Sequence, residues 1–331
     1  MKTKVLYVLI SCEKDYYTEQ MMISLCSLRM HNPDVCVVLL TDEETSNYLK
    51  EMSNDILRNF NEKVIIKFPK EISNKARSRE LKTNARNYIN GDYLFLDTDT
   101  IVLGKIDDID SLDVDMGGVY DMHQPSLSNI RYLNSIKRWA QKIGWNTIDL
   151  SKPYYNSGVL YVKDNQKTRE FYRLWNSSWK KSFQKGVFQD QPTLNILNND
   201  KQIISKIDDK WHCQILGNGL RFLDRAIVIH YYNGSFMKQN TIQPFCFMNN
   251  EIFAQIREKG MYDELKELIA HAKEGFPSQV DIISGNSIPV YYSSVFRMFL
   301  LIYGRAPRLF SIIDSLAESV RKMWTLFVEN K

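Results

Sequence analysis

Two aspartates that follow an apolar run are the residues of this sequence best suited to chemistry. Asp97 and Asp99 come directly after Tyr93–Leu96, which has the pattern of a short buried strand. Two carboxylates so close together repel each other unless a proton or a divalent cation lies between them. Oxygen ligands suit Mg²⁺ or Mn²⁺, which commonly also bind phosphate oxygens of a substrate. The pair therefore predicts a site for a divalent cation and a phosphorylated ligand.

The Asp-x-Asp spacing is informative because of its position in the chain. The same spacing occurs at Asp108–Asp110 and Asp113–Asp115, and neither of these follows a buried-strand pattern. A strand that ends at residue 96 would deliver both carboxylates to the edge of a sheet, where ligands commonly bind. A solvated turn after a strand is the alternative interpretation of residues 97–99.

A histidine at the end of another strand-like run is a third candidate ligand. His230 follows Arg225–Ile229, and an imidazole binds Mn²⁺ well beside carboxylates. Downstream lie Gly234, which permits close approach of the backbone to a ligand, and Lys238, a positive charge suited to a diphosphate. Alone, a histidine at a strand end is more often a hydrogen-bonded surface residue.

Two polar segments complete the set of candidates. The side chains of Asn156 and Ser157 offer donors and acceptors to sugar hydroxyls at the start of an apolar strand. Asp190 and Gln191 precede Pro192, and either could cap a short helix with the proline in its first turn, which is the structural interpretation of that segment. Each segment alone is common in turns, so their functional meaning depends on their combination.

Alternating strand and helix patterns in the first hundred residues must position these groups. Such alternation implies a largely parallel sheet with both faces covered. Ligands bind at the carboxyl ends of the strands in such sheets, and residues 97–99 fall there. The predicted strands are Val5–Ser11, Val35–Leu40, Lys63–Phe68 and Tyr93–Leu96, and the helices between them are Thr18–Met30, Glu43–Asn54 and Ser78–Tyr88.

The second half of the chain continues with both patterns and ends in helices. From about Glu251 onward the pattern is helical. We therefore expect residues 1–250 to form the domain that carries the candidate site and residues 251–331 to form a helical extension. Within the first domain we expect strands at Met116–Tyr120, Gly158–Val162 and Ala226–Ile229, and helices at Thr168–Phe183 and Gln191–Asn198.

The last two predicted helices, Val290–Tyr303 and Pro307–Glu329, are unusually apolar. Residues 290–331 carry six Lys or Arg and three Asp or Glu, a net charge of +3, and their apolar side chains recur at helical spacing. Such helices pack on another part of the chain or on a second subunit, or they bind an anionic lipid surface. Peripheral membrane contact through residues 288–331 and a homo-oligomer are therefore both expected.

The overall composition limits the cellular compartment and the kinds of binding partner that can be expected. Lys and Arg number 43 against 39 Asp and Glu, and no basic run is interleaved with aromatics, so nucleic acid is not an expected partner. Five widely spaced cysteines without a Cys-x-x-Cys pair argue for a reducing compartment and against a disulfide framework. No apolar run approaches the ~20 residues of a membrane-spanning helix. A cytoplasmic protein is expected, free or bound to the inner face of the membrane.

Taken in order, the four motifs resemble glycosyltransferase family 8, which includes glycogenin and the bacterial lipopolysaccharide galactosyltransferases. The family shows a strand that ends in Leu-Asp-x-Asp, an Asn-x-Gly turn, Asp-Gln-x-x-Leu-Asn, and a histidine followed by glycine and lysine. The chain matches these within residues 3–240, at Leu96–Asp99, Asn156–Gly158, Asp190–Asn195, and His230 with Gly234 and Lys238. The family's usual ending, His-x-x-Gly-x-x-Lys-Pro-Trp, is displaced here and lacks Pro-Trp, which indicates a divergent branch.

The resemblance implies a GT-A fold, in which a Rossmann-like, mostly parallel sheet is flanked by helices. It implies transfer of a hexose or N-acetylhexosamine from a UDP-sugar to a saccharide or lipid-linked acceptor, with retention of configuration, in surface polysaccharide synthesis. It also implies Mn²⁺ or Mg²⁺ held by Asp97, Asp99 and His230, with Asp190 and Gln191 as catalytic candidates near the transferred sugar. The implied donor contacts are Ser11, Tyr17, Lys82, Thr98, Asn156, Ser157, Gly234 and Lys238.

Two other functions stay open at this point. A buried strand followed by Asp-x-Asp-x-Thr is also the first motif of phosphatases of the haloacid dehalogenase type. In these enzymes the first aspartate becomes phosphorylated. That class needs a later lysine and a further acidic pair at a strand end, and Asp107-Asp108 comes too soon after the motif. A degenerate sugar-binding or scaffold protein is the non-enzymatic alternative, and the intact set of Asp97, Asp99 and His230 argues against it.

Overall fold

The apolar runs of the first hundred residues form strands, as their pattern predicts. The computed structural model describes residues 1–130, 132–145, 148–215, 217–231, 249–274, 289–290 and 293–329. The first strands are β1 (Lys4–Leu9), β2 (Val37–Asp42), β3 (Glu62–Ile66) and β4 (Tyr93–Leu96), and the helices between them are α1 (Tyr17–His31), α2 (Glu43–Met52), α3 (Asn54–Arg58), α4 (Asn74–Thr83) and α5 (Ala85–Tyr88).

The middle of the chain contributes shorter strands and longer helices. The strands are β5 (Thr100–Val102), β6 (Met116–Tyr120), β7 (Tyr155–Val162), β8 (Ile204–Lys206), β9 (Cys213–Gln214) and β10 (Val228–His230). The helices are α6 (Leu133–Ile143), α7 (Gln166–Gln184), α8 (Gln191–Lys201), α9 (Asn250–Lys259) and α10 (Asp263–Ala270).

A mixed, mostly parallel sheet lies at the centre of this α/β fold, as predicted. In the described part of the chain it has seven strands in the order β3-β2-β1-β4-β7-β6-β8. Strands β3, β2, β1 and β4 are mutually parallel, whereas β7 runs antiparallel to both β4 and β6. Because β7 opposes β4, its first residues lie at the carboxyl end of β4, and the N–H of Asp97 donates to the carbonyl of Gly158 at 2.8 Å.

A second, smaller sheet carries the candidate histidine to the same place. Strand β10 pairs antiparallel with β5, opposing His230 to Thr100, and parallel with β9. Since β5 begins one residue after Asp99, this pairing places the end of β10 beside the carboxylate pair. The N–H of Tyr231 donates to the carbonyl of Asp99 at 2.9 Å, which fixes the two segments to each other.

Apolar side chains cover both faces of the central sheet. Alternate residues of β1 point to opposite sides, so that Val5 and Tyr7 join one buried cluster with helix α1, and Leu6 joins the other with α4 and α7. A strand buried on both faces has no polar alternation, which is why these strands read as continuous apolar runs in the sequence.

The segment between β6 and β7 forms a small layer that no sequence pattern predicted. Its core consists of Leu127, Ile130, Ile136 and Tyr154, all of them buried. Helix α6 belongs to this layer, and its partly buried Leu133 and Trp139 pack against that core. The layer thereby holds α6 beside the first residues of β7.

The described chain divides into two compact units. The described residues of the first lie within 1–231 and 249–273, so helices α9 and α10 belong to it, and those of the second lie within 274–329. The domain boundary expected at residue 250 stays a prediction.

The second unit contains α11 (Ser294–Arg305) and α12 (Pro307–Glu329), which contact each other through the rings of Tyr303 and Phe310, with centroids 5.1 Å apart. Large apolar side chains on both helices are exposed, among them Leu300, Ile312, Leu316 and Trp324. None of the helices that the structure describes combines the length and apolarity needed to cross a membrane.

Candidate active site

The three predicted metal ligands lie together at the carboxyl end of β4. Asp97, Asp99 and His230 each offer a ligand atom, and these atoms all lie within 4.8 Å of one another. The Nε2 of His230 lies 3.1 Å from Oδ1 of Asp99. Two carboxylates and one imidazole at these separations form a suitable donor set for a divalent cation of the Mn²⁺ or Mg²⁺ type.

A glycine on β7 makes this approach possible. A Cβ atom at Gly158 would lie 2.5 Å from Cε1 of His230 and 2.9 Å from Oδ2 of Asp97. Carbon atoms do not pack at such distances, and both neighbours are held by their own strands. Gly158 is therefore needed because the cluster leaves no space for a side chain, and not because a turn requires the backbone freedom of glycine.

The electrostatics of the cluster favour added positive charge. Partial burial raises the pKa of Asp97, whose side chain is 30 % exposed, and the neighbouring Asp99 raises it further, against the opposing effect of Lys82. Burial alone would lower the pKa of His230, but Asp99 reverses the effect and raises it. The effect of Asp99 on Asp97 and the raised pKa of His230 both reflect the negative charge of the two carboxylates, which a bound cation would relieve.

Two basic side chains on α4 extend the site toward Asp190. The Nζ of Lys82 lies 3.0 Å from Oδ1 of Asp97 and 3.5 Å from Oδ2 of Asp190. The Nε of Arg79 lies 3.0 Å from the other oxygen of Asp190. Although burial acts in the opposite direction, Lys82 and Arg79 lower the pKa of Asp190, so this buried carboxyl is ionised at neutral pH.

Sequence reasoning selected Lys82 but missed Arg79. The signal was present, because residues three apart share one face of a helix and Arg79 lies one turn before Lys82. Only the packing of α4 beside the end of β4, however, shows that this face meets the acidic groups.

The start of β7 and the start of α8 are joined by side-chain hydrogen bonds. Ser157 Oγ donates to Oδ2 of Asp190 at 2.8 Å, and the Ser157 N–H donates to Oε1 of Gln191 at 3.2 Å. Helix α8 begins at Gln191 with Pro192 in its first turn, as the structural interpretation predicted, but the Asp190 side chain makes no capping bond. Its carboxylate is used in the polar network instead.

Two further residues complete this network and were not predicted. Asn156 Nδ2 donates to Oδ1 of Asp121 at 2.6 Å, and the hydroxyl of Tyr132 donates to the other oxygen of Asp121. The Nε2 of Gln191 donates to the same Tyr132 hydroxyl at 3.1 Å. No local pattern marks Asp121 or Tyr132, since only the layer between β6 and β7 brings them to the site.

Two cavities meet at the carboxylate pair. One, of about 410 Å³, is lined by Tyr17, Gln20 and Lys75 among others, and the other, of about 480 Å³, by Trp139 and Asp190 among others. Both volumes fall in the range of small-molecule sites. The residues that line both cavities are Arg79, Asp97 and Asp99. After the parts of the donor that the sequence resemblance implies, we label the cavity that contains Tyr17 the nucleotide-side cavity and the one that contains Asp190 the sugar-side cavity.

A larger cavity, of about 800 Å³, lies away from these groups. It is lined by methionines and other side chains of α1, α2, α3 and α9, with Met22, Met30 and Met52 among them. The titratable cluster lies outside it, so size alone does not identify the site in this protein.

The predicted donor contacts occupy different positions. Tyr17 is half-exposed and lines the nucleotide-side cavity, as does Thr98, whose hydroxyl donates to Oε1 of Gln20 at 3.3 Å. Ser11 is buried beside this cavity, and its hydroxyl donates to Asp15 at 2.6 Å. Lys82, Asn156 and Ser157 line the sugar-side cavity, whereas Gly234 and Lys238 lie outside the described residues.

A mostly parallel sheet with an acidic pair at the end of its fourth strand, and with cavities on either side of that pair, is the GT-A fold of glycosyltransferases. The family model described as glycosyl transferase family 8 matches residues 8–238, and the chain belongs to this family. The protein is therefore a glycosyltransferase, and neither the phosphatase nor the scaffold alternative is retained.

The two solved structures of LgtC share this fold. The galactosyltransferase LgtC in complex with donor and acceptor sugar analogs has a TM-score of 0.50 and 15% identity, over 80% of this chain and 99% of LgtC. An active-site mutant of LgtC has a TM-score of 0.50 and 16% identity, over 81% and 99% of the two chains. The glycosyltransferase GlyE of Streptococcus pneumoniae TIGR4 has a TM-score of 0.46 and 16% identity, over 84% and 65%. A search of curated protein sequences found no match.

Proposed function

We propose that this glycosyltransferase moves a hexose or N-acetylhexosamine from a UDP-sugar to a saccharide or lipid-linked acceptor, with retention of configuration and with a divalent cation, in surface polysaccharide synthesis. The observation that supports this most is the position of Asp97, Asp99 and His230 at the junction of two cavities. A sugar nucleotide has its diphosphate between a nucleoside and a sugar. A cation at the junction would meet that diphosphate if each end occupied one cavity.

The metal requirement follows from the leaving group. Departure of a nucleoside diphosphate leaves negative charge that must be stabilised. Asp97, Asp99 and His230 would hold Mn²⁺ or Mg²⁺, and the bound cation would act as a Lewis acid beside the diphosphate. Lys238, predicted to add a further positive charge there, keeps that role as part of the proposal.

The nucleotide-side cavity has the features of a uridine site. The ring of Tyr17 is half-exposed and can stack on a base, while Thr98 and Gln20 supply polar groups next to it. Ser11 would act on this site through Asp15, with which it shares a hydrogen bond and which also lines the cavity. These residues bind and orient the donor and do not take part in bond cleavage.

The sugar-side cavity has the features of a site for the transferred sugar. Asp190 is ionised and held by Arg79, Lys82 and Ser157, so its position is fixed before any ligand binds. Polar groups fixed in advance orient a bound sugar ring at low entropic cost. Gln191 and Asn156 are held in the same network, and we assign Asp190 and Gln191 as the catalytic candidates beside that sugar.

The acceptor would enter the sugar-side cavity past helix α6. Tyr132, Ser135 and Trp139 line this wall of the cavity, and Tyr132 and Trp139 lie in contact, with ring centroids 6.2 Å apart. Aromatic rings pack against the apolar faces of sugars, and serine hydroxyls bind sugar hydroxyls. A saccharide acceptor fits such a wall.

The second unit would bring the enzyme to lipid-linked acceptors. Helices α11 and α12 expose apolar side chains along most of their length, and residues 290–331 have a net charge of +3. Amphipathic helices that expose tryptophan and lie in a segment of net positive charge bind the interface of anionic membranes. We therefore place the protein on the inner face of the membrane as a peripheral enzyme.

The test is a donor screen that measures UDP release with Mn²⁺ for UDP-galactose, UDP-glucose and their N-acetyl forms. One donor should be turned over by the wild type, and Asp99→Asn should reduce the rate about 100-fold or more, as removal of a charge-stabilising group does elsewhere. Asp113→Asn is the matched control, because Asp113 belongs to another Asp-x-Asp pair and its side chain is fully exposed. Full activity of Asp99→Asn would contradict the metal assignment.

A further inference from the structure

A second buried histidine lies directly behind His230. The Nε2 of His212 is 2.8 Å from Nδ1 of His230, and the two rings are stacked with centroids 5.0 Å apart. On its other side His230 presents Nε2 to Asp99 at 3.1 Å. The three groups therefore form a hydrogen-bonded line that runs from the protein interior to the cation site.

The backbone fixes this contact. His212 immediately precedes β9, and β9 pairs parallel with β10, so that His230 opposes Gln214. The side chain of His212 is fully buried. The distance between the two imidazoles is therefore set by the small sheet and not by a mobile loop.

We propose that His212 is a positioning residue that holds the proton of His230 on Nδ1 and so presents the bare Nε2 to the divalent cation. This inference rests on the proposed function. A neutral imidazole carries a single N–H, and the nitrogen that binds a metal must be the one without it. Nε2 of His212 lies 2.8 Å from Nδ1 of His230. When a cation at Nε2 of His230 replaces the hydrogen bond to Asp99, the proton of His230 is left on Nδ1, and His212 would accept the hydrogen bond from it and so fix that tautomer and the orientation of the ring.

A role in packing alone does not account for His212. Its Nδ1 is buried and makes no hydrogen bond within the described residues. A buried polar atom without a partner is destabilising, and an apolar side chain of similar volume would avoid it. The bond that the other nitrogen makes to His230 explains why a histidine occupies the position.

The experiment is a titration of the full chain with Mn²⁺ in the presence of UDP, followed by electron paramagnetic resonance. His212→Phe should weaken Mn²⁺ binding about 10- to 100-fold, the effect of removing the hydrogen-bond partner of a ligating histidine. His212→Gln should bind nearly as tightly as the wild type, because its carbonyl oxygen reaches the place of Nε2. His271→Phe is the control, since His271 is exposed and far from the carboxylates in sequence.

Kinetics should separate metal binding from the chemical step. In His212→Phe the Mn²⁺ concentration for half-maximal rate should rise, whereas kcat at saturating Mn²⁺ should stay close to that of the wild type. A merely structural role would lower stability and leave the metal dependence unchanged. Equal Mn²⁺ affinity in the wild type and His212→Phe would overturn the inference and leave the proposed function standing.

A measurement on the unmodified protein covers the case in which His212→Phe does not fold. With ¹⁵N-labelled histidine, UDP and Mg²⁺, the signals of His230 should report a protonated Nδ1 and an unprotonated Nε2, assigned by their loss in His230→Asn. A proton on Nε2 in the metal-bound protein would overturn the inference. Failure of the wild type to bind Mn²⁺ with UDP would instead remove the metal from the proposed function, and this inference with it.

Discussion

Gly158 shows how a residue without a side chain can be part of a metal site. It belongs to β7, while Asp97 follows β4 and His230 ends β10, so three elements converge on it. The space that a Cβ would need is occupied by the imidazole and the carboxylate themselves. Any side chain here must displace at least one of the two proposed ligands.

Gly158→Ala should therefore weaken Mn²⁺ binding in the presence of UDP by about tenfold or more, on the scale of other changes that reorient a ligand. Gly104→Ala is the matched control, because a Cβ at Gly104 would meet no atom within 4 Å. Electron paramagnetic resonance gives the affinity, and thermal unfolding shows whether the variant is folded. Wild-type affinity in a folded Gly158→Ala protein would refute the argument.

At the scale of single residues, the candidate ligands that lie at the ends of strands could be predicted from the sequence. Asp97 and Asp99 follow an apolar run directly, and their proximity to His230 is now seen in the structure, although their roles remain proposals. Arg79 and His212 were missed for a physical reason. Each acts through a partner more than ten residues away in sequence, and no local pattern encodes that partner.

Among the elements, length decided which could be predicted. Strands β1, β2, β4 and β6 were found because apolar runs of four or more residues stand out from their surroundings. Strands β5, β8 and β9 have two or three residues and show no periodicity, so only β10 of the small sheet was predicted, from the apolar run Ala226–Ile229. Helix α6 was missed as well, and with it the aromatic wall of the sugar-side cavity.

Helix α6, which forms the aromatic wall of the sugar-side cavity, gives a prediction for acceptor binding. Trp139→Ala should raise the KM for the acceptor roughly fivefold, since an aromatic contact contributes about 1 kcal/mol. Hydrolysis of the donor by water should be unchanged, because the donor site is intact. The two rates are compared by assaying UDP release with and without a panel of methyl glycosides as acceptors.

Lys137→Ala is the control for this experiment, because Lys137 is exposed on the same helix. Trp139→Phe should recover most of the acceptor affinity. If Trp139→Ala reduced hydrolysis and transfer equally, helix α6 would be a support for the donor site and not an acceptor wall.

At the scale of the whole molecule, residues that are far apart in sequence connect helix α9 to the nucleotide-side cavity. The Nε of Arg257 on α9 lies 2.6 Å from Oε1 of the fully buried Glu19, and its guanidinium also donates to the carbonyls of Glu13 and Asp15. Arg257 thus fixes the loop that leads from β1 into α1. The sequence pattern predicted a helix near residue 251 but could not show that it returns to the first residues of the chain.

The second unit carries the prediction on membrane contact. In the full chain, Ile312→Glu combined with Leu316→Glu should abolish flotation with anionic phosphatidylglycerol vesicles, because both side chains are exposed on the apolar side of α12. Ser315→Glu adds a charge to the same helix away from that side and should still float. Equal flotation of the wild type and the double variant would contradict membrane binding. If sedimentation instead showed that the double variant dissociates a dimer, the helices would form a subunit contact.

The sharing of Arg79, Asp97 and Asp99 between the two cavities has a consequence for how such enzymes diversify. Substitutions at this common wall should change the proposed binding of both ends of the donor at once. Gln20 and Ser78 line one cavity alone, and Ser135 and Trp139 line the other. With the ligands bound as proposed, recognition of the nucleoside and recognition of the acceptor should therefore be open to separate engineering.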